Sequence, residues 1–200
     1  MAYNRKDGYW RKAKKEGYRS RASYKLLQIN KKFHLIKKND YVLDIGCAPG
    51  GWMQVAQKIV GPQGFVLGVD IHRIRPFDAD NTDVLSMDIT DPQAVDRIKN
   101  HIDSFDTVIS DVSPNISGIW DVDHYNSIEL STKAFHIAQR TLRPKGNFVV
   151  KIFQGELIHE FYTTVKKAFG YTKITSPQAS RKSSAETYII GKYFNGMRTE

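Results

Sequence analysis

Lys151 follows the run NFVV in a segment read as a buried strand. A charge taken out of water there is costly unless it has a partner. Asp111, at the end of the strand-like TVISDV, is the obvious one. A second unusual constellation is DIGCAPGGW, where Gly46, Gly50 and Gly51 fall between a strand-like and a helical run. Glycines at such a junction permit a tight turn and close approach of backbone to ligand. The spacing is not the G-x-G-x-x-G of a dinucleotide loop, which makes a nicotinamide enzyme the second reading. Asp70 ends the next apolar run, 24 residues after Gly46, where an acid accepts hydrogen bonds from both ribose hydroxyls of an adenosine. Asp88 reads either as a contact to an adenine amino group or as a turn-capping acid. Together Asp44, Asp70, Asp88 and Asp111 suit a cofactor that carries a sulfonium and an ammonium but no phosphate, namely S-adenosylmethionine.

The elements that must position these groups follow from periodicity. SYKLLQINKKFHLI reads as an amphipathic helix carrying Lys25. YVLDIG is then a strand, WMQVAQKIV a helix and FVLGVDI a strand, followed by a weak strand at 84–87 and a helix at 94–101. TVISDV is the next strand. A loop containing Pro114, Gly118 and Trp120 leads to a helix from about Ser127 to Thr141, and Gly146 introduces the strand NFVVKIF. A helix over 157–169, a strand over 171–175 and the strand AETYIIGKYF complete the chain. Strands alternating with helices imply an α/β fold, a mostly parallel sheet with helices on both faces. The short last connection predicts an antiparallel edge strand. Ligands of such sheets collect beyond the carboxyl ends of the strands.

Composition narrows the partners. The 200 residues form one expected domain, without an apolar run long enough to span a membrane. A cytoplasmic protein is expected, since Asp7, Glu16, Tyr9 and Trp10 fit poorly with a targeting presequence. One cysteine, Cys47, and scattered histidines argue against a disulfide or a bound metal. The net charge of +9 is concentrated: residues 1–40 hold 13 Lys and Arg against three acids. Tyr3, Tyr9, Trp10, Tyr18 and Tyr24 are interleaved with them. Phosphate attraction plus stacking surfaces points to nucleic acid, with a basic RNA-binding segment at about 1–38, the bland alternative being a solvated tail.

In SRASYKLLQI, VLDIGCAPGGW, VDI, ISDVSPN, VVKIFQG and SSAETYI, in that order, the chain resembles the FtsJ/RrmJ-like ribose 2′-O-methyltransferases over nearly its whole length. The resemblance implies a Rossmann-like, seven-stranded methyltransferase fold and a tetrad of Lys25, Asp111, Lys151 and Glu186. It further implies cofactor contacts at Gly50, Trp52, Asp70, Asp88 and Asp111. Its implied substrate is structured RNA, a uridine of large-subunit ribosomal RNA or the subunit itself, with transfer RNA as the alternative and a monomeric enzyme expected. Lys151 would accept the proton of the ribose hydroxyl or stabilise the developing alkoxide. Taken singly, Lys25 also reads as a helix-surface cation, Asp111 as a turn acid and Glu186 as an exposed strand residue. A small-molecule methyltransferase would not need the basic, aromatic N-terminal segment. A non-catalytic RNA-binding module would leave Lys151 and Asp70 without a task.

Overall fold

A computed structural model describes residues 7–181 and 184–196. Tyr3, the first six residues of the basic segment, Lys182, Ser183 and the last four residues lie outside the described residues. The chain runs α1 (Gly8–Lys15), α2 (Ser23–Phe33), β1 (Tyr41–Ile45), α3 (Gly51–Val60), β2 (Phe65–Asp70) and β3 (Thr82–Ser86). It continues with α4 (Ala94–His101), β4 (Phe105–Ser110), α5 (Trp120–Thr141), β5 (Leu142–Phe153), α6 (Ile158–Ala168), β6 (Phe169–Thr175) and β7 (Glu186–Phe194). One seven-stranded sheet has the order β3-β2-β1-β4-β5-β7-β6. All the strands from β3 to β5 pair parallel, whereas β7 is antiparallel to both β5 and β6.

Alternation along the central strands sends successive residues to opposite faces. Leu43, Ile45, Leu67, Val69, Phe148, Val150 and Ile152 enter the core beneath α4, α5 and α6. Val42, Val66, Ile109, Val149, Tyr188 and Ile190 face α2 and α3. Lys151, between Val150 and Ile152, therefore points to the α2/α3 side, which is also the side of Glu186 and Tyr188 on β7. Residue spacing on two strands thus directs three polar groups into one region.

Several boundaries differ from the periodicity. The basic start contains α1, capped by the Asp7 carboxylate, which accepts the Trp10 N–H at 2.9 Å; its few apolar residues gave no helical stripe. The expected helix from Ser23 ends early, at His34 in the left-handed conformation (φ 51°). The helix expected from Ser127 begins at Trp120, which is therefore helical and not in the loop. There the Asp123 carboxylate accepts the Ser117 and Gly118 N–H groups at 2.7 and 3.2 Å, a tie that apolar periodicity does not register. Phe169 opens β6 instead of closing α6. The β4–β5 ladder becomes regular from Thr107↔Asn147, just after Gly146, although β5 begins at Leu142 before an irregular stretch. No helix among the described residues is long and apolar enough to cross a membrane.

Candidate active site

The turn after β1 forms the floor of the site. Gly46 has φ 75°, and a Cβ there would fall 2.7 Å from the Val112 Cα, so the turn can lie against the segment after β4 only as glycine. Gly50 has φ 101°, and a Cβ would meet the Arg19 guanidinium. That guanidinium lies 3.6 Å over the Phe77 ring and donates to the carbonyls of Arg75 and Pro76 at 2.5 and 2.7 Å. The glycine turn is thereby locked between the start of α2 and the loop after β2.

A cleft of about 380 Å³ opens at the carboxyl ends of β1, β2 and β4, within the size range of small-molecule sites. Asp70, Asp88 and Asp111 line it, with Gly46, Met87 and Asn115 among its walls; no Lys or Arg does. Asp70 accepts the Ala48 and His72 N–H groups at 2.9 and 2.8 Å, which fixes its carboxylate at the rim and leaves lone pairs for a ligand. Asp88 accepts from the backbone and hydroxyl of Thr90, both at 2.8 Å, so it caps a turn and lines the cleft at once. Gly50 and Trp52 are not on this cleft. Trp52 lines a smaller cavity of about 170 Å³ that also touches Gly46 and Asp111.

Asp111 joins the cleft to the buried polar cluster. Lys151 Nζ donates to the Asp111 carbonyl at 2.7 Å and lies 3.4 Å from its Oδ1, which also accepts the Tyr188 hydroxyl at 2.9 Å. Lys25 Nζ donates to Glu186 Oε2 at 2.6 Å. The structure thus brings all four members of the tetrad together. Burial works to raise the Asp111 carboxyl, but Lys151, Lys25 and the Tyr188 hydroxyl outweigh it and hold the group below the usual carboxylate range. For Lys25, burial opposes the ammonium, yet Asp111 and Glu186 prevail and raise its pKa. Tyr188 is pushed far up by burial and by the charges of Asp111 and Glu186, so it remains a hydroxyl donor.

One member of this arrangement went unnoticed in the sequence. Tyr188 reads as an ordinary core strand residue, although its place two after Glu186 puts both on one face. Trp52 acts here as a strut: its indole N–H donates to the Ala22 carbonyl at 2.9 Å and its ring stacks 5.8 Å from Tyr188. It ties the start of α2, and so Lys25, to β7. Asp44 lies beneath the turn, fully buried, and neither carboxylate oxygen has a well-formed hydrogen-bond partner. Among the described residues no group of three or more His, Cys, Asp or Glu is arranged to hold a metal.

A parallel sheet extended by an antiparallel β7 inserted before β6, with a carboxylate-lined cleft over β1, β2 and β4, defines a Rossmann-like methyltransferase. Residues 18–194 match the FtsJ-like methyltransferase family model. A relative from Methanocaldococcus jannaschii, named ribosomal RNA large subunit methyltransferase E, is 50% identical over 98% of this chain and 82% of its own length. One of the same name from Archaeoglobus fulgidus is 51% identical over 96% of this chain and 97% of its own. The chain belongs to the FtsJ-like methyltransferase family. A Plasmodium falciparum crystal structure described as a ribosomal RNA methyltransferase superposes with a TM-score of 0.79, at 29% identity, over 90% of this chain and all of that one. Aeropyrum pernix fibrillarin, solved with S-adenosylmethionine, shares the fold at 18% identity, with a TM-score of 0.61 over 85% of this chain and 73% of its own.

Proposed function

We propose that this chain, as one domain, transfers a methyl group from S-adenosylmethionine to a ribose 2′-hydroxyl of structured RNA, a uridine of large-subunit ribosomal RNA. The observation that carries the reading is a cleft lined by three carboxylates and no Lys or Arg, joined through Asp111 to two buried lysines. Such a lining suits a cationic, phosphate-free cofactor and disfavours a dinucleotide. Asp70 would hold the ribose hydroxyls, Asp88 the adenine and Asp111 the cationic end. The resemblance adds cofactor contacts at Gly50, in the turn, and at Trp52, which lines the smaller cavity beside Asp111. Bound there, the cofactor supplies an electrophilic methyl carbon.

The residues of the chain then have separable tasks. An ammonium has three donors. Lys151 directs two toward the carbonyl and carboxylate of Asp111, which leaves one for the reacting oxygen. This favours stabilisation of the developing alkoxide by Lys151 over proton abstraction, the hydroxyl proton passing to solvent. Lys25, kept charged by its carboxylate neighbours, adds positive potential on the same side. Glu186 fixes Lys25, and Tyr188 fixes Asp111. The names of the relatives support ribosomal over transfer RNA, and the basic N-terminal segment supports an RNA substrate.

Tritium-labelled cofactor, offered with purified large ribosomal subunits, the protein-free ribosomal RNA and bulk transfer RNA, tests the reading. Label should appear in a 2′-O-methylated nucleoside of the ribosomal RNA, and a transcript with a 2′-deoxy target should accept none. Methylation on a base, or of the deoxy transcript, would be incompatible with the proposal.

A further inference from the structure

The start of α5 exposes more apolar surface than a helix end needs. Ile116, Ile119 and Trp120 are 64%, 62% and 49% exposed, with Val122 and Tyr125 also open. Scattered exposed apolar residues are ordinary, but a contiguous patch beside a site marks binding. This patch follows Ser113, Pro114 and Asn115, which line the cofactor cleft. Trp120 is its organised member. Its ring lies nearly parallel to Phe153, at 16° and 6.4 Å between centroids, and to His124, at 13° and 6.4 Å. Phe153 and His124 are buried, so the ring is supported from the protein side while about half of the residue remains open.

The register ties this ring to the tetrad. Phe153 lies directly opposite Glu186, and Lys151 directly opposite Tyr188. Phe153 lies two residues beyond Lys151, about 7 Å further along β5. The Trp120 ring, a further 6.4 Å from that of Phe153, therefore stands at the carboxyl end of β5, beyond the ammonium that meets the ribose oxygen. Base stacking on an aromatic ring needs no particular hydrogen bonds, and it requires a base that has left its helix.

Resting on the RNA reading above, we infer that Trp120, supported by Phe153, is the stacking platform for the base of the target nucleotide, which is taken unpaired. Asp121 and Asp123, next to it, contribute no attraction for phosphate, consistent with a contact to a base and not to the backbone.

The RNA accepted in the labelling experiment is used as a ligated transcript with either the normal or an abasic target nucleotide. Folded Trp120→Ala should bind cofactor as the wild type does but show an RNA KM about 5- to 150-fold higher, the scale of a lost base stack. Trp120→Phe should recover most of it. Trp120→Leu, which still covers Phe153 but offers no aromatic face, should resemble the alanine variant and serves if that variant folds poorly. The abasic transcript should cost the wild type a similar factor and cost Trp120→Ala no more. An unchanged KM in folded Trp120→Leu, or an abasic penalty equal in wild type and variants, overturns the platform while the methyltransferase reading stands. No transfer to any RNA by the wild type overturns both.

Discussion

Lys151 is 4% exposed and Lys25 6%, and two ammonium groups so far from water persist only because Asp111 and Glu186 accompany them. The pairing also divides the labour: each carboxylate holds one lysine, and Asp111 alone of the four reaches the carboxylate-lined cleft. Lys151→Ala should therefore keep its affinity for cofactor and RNA while its single-turnover methyl transfer falls by about a hundredfold to ten-thousandfold. The loss should appear in kcat with KM little changed, as for an interaction made mainly in the transition state. Near-normal transfer by the folded variant would remove Lys151 from the mechanism. Lys151 and Asp111 were legible as residues because a lysine after NFVV violates the pattern of a buried strand. Tyr188 was not, since a tyrosine in YIIGKYF fits the pattern of a strand core whether or not its hydroxyl finds Asp111.

At the scale of elements, α1 changes the reading of the basic segment from a tail to a structured face. Ala13 packs with Tyr24 and Ala179, and Asp7 pairs with Arg21 and Arg181 at 3.1 and 3.2 Å. Removing the segment would also strip Arg19 from the glycine turn, so truncation confounds RNA binding with cofactor binding. Replacing the exposed Arg11, Lys14 and Lys15 with Gln separates the two. RNA affinity should fall and the slope of log affinity against log salt should flatten by about 2 to 3, near one per lost phosphate contact. Cofactor affinity measured by calorimetry should not move. An unaltered salt slope would mean that this face of α1 does not meet phosphate. The helix escaped notice because GYWRKAKK carries too little apolar surface to show a stripe, its anchorage being Ala13, the Tyr9 ring against Tyr24 and a network of charges. The start of α5 escaped for a related reason, since WDVDHYN is held by Asp123 and by the stack on Phe153 instead of by periodicity.

For the molecule as a whole, the buried carboxyl of Asp44 is a liability built into the centre of the sheet. Burial pushes it well above the ordinary carboxylate range, and the negative charges of Asp111 and Asp70 push it further. Below about pH 4 both the folded and the unfolded chain hold this proton; above that, the unfolded chain releases it first. Stability from this group is therefore lost as pH rises, opposite in sign to Asp111, whose lowered pKa gives stability that is lost as pH falls. Cofactor-free Asp44→Asn should gain stability relative to the wild type between pH 4 and pH 7, because asparagine has no proton for the unfolded chain to release. Denaturation at pH 4 and pH 7 should show that gain. A variant less stable at pH 7 than at pH 4, relative to the wild type, would mean that Asp44 is ionised and paired in the fold. The sequence by itself determined the α/β alternation, the glycine turn, the acid at the end of each ligand-facing strand and the concentration of positive charge, because each is written within a dozen neighbouring residues. Only the tertiary structure decided that β7 enters between β5 and β6, antiparallel to β5 as well as to β6, which sets Tyr188 opposite Lys151 and Phe153 opposite Glu186. Strand order and register arise from the packing of helices onto both faces of the whole sheet, and no local pattern encodes which distant strand will be the neighbour.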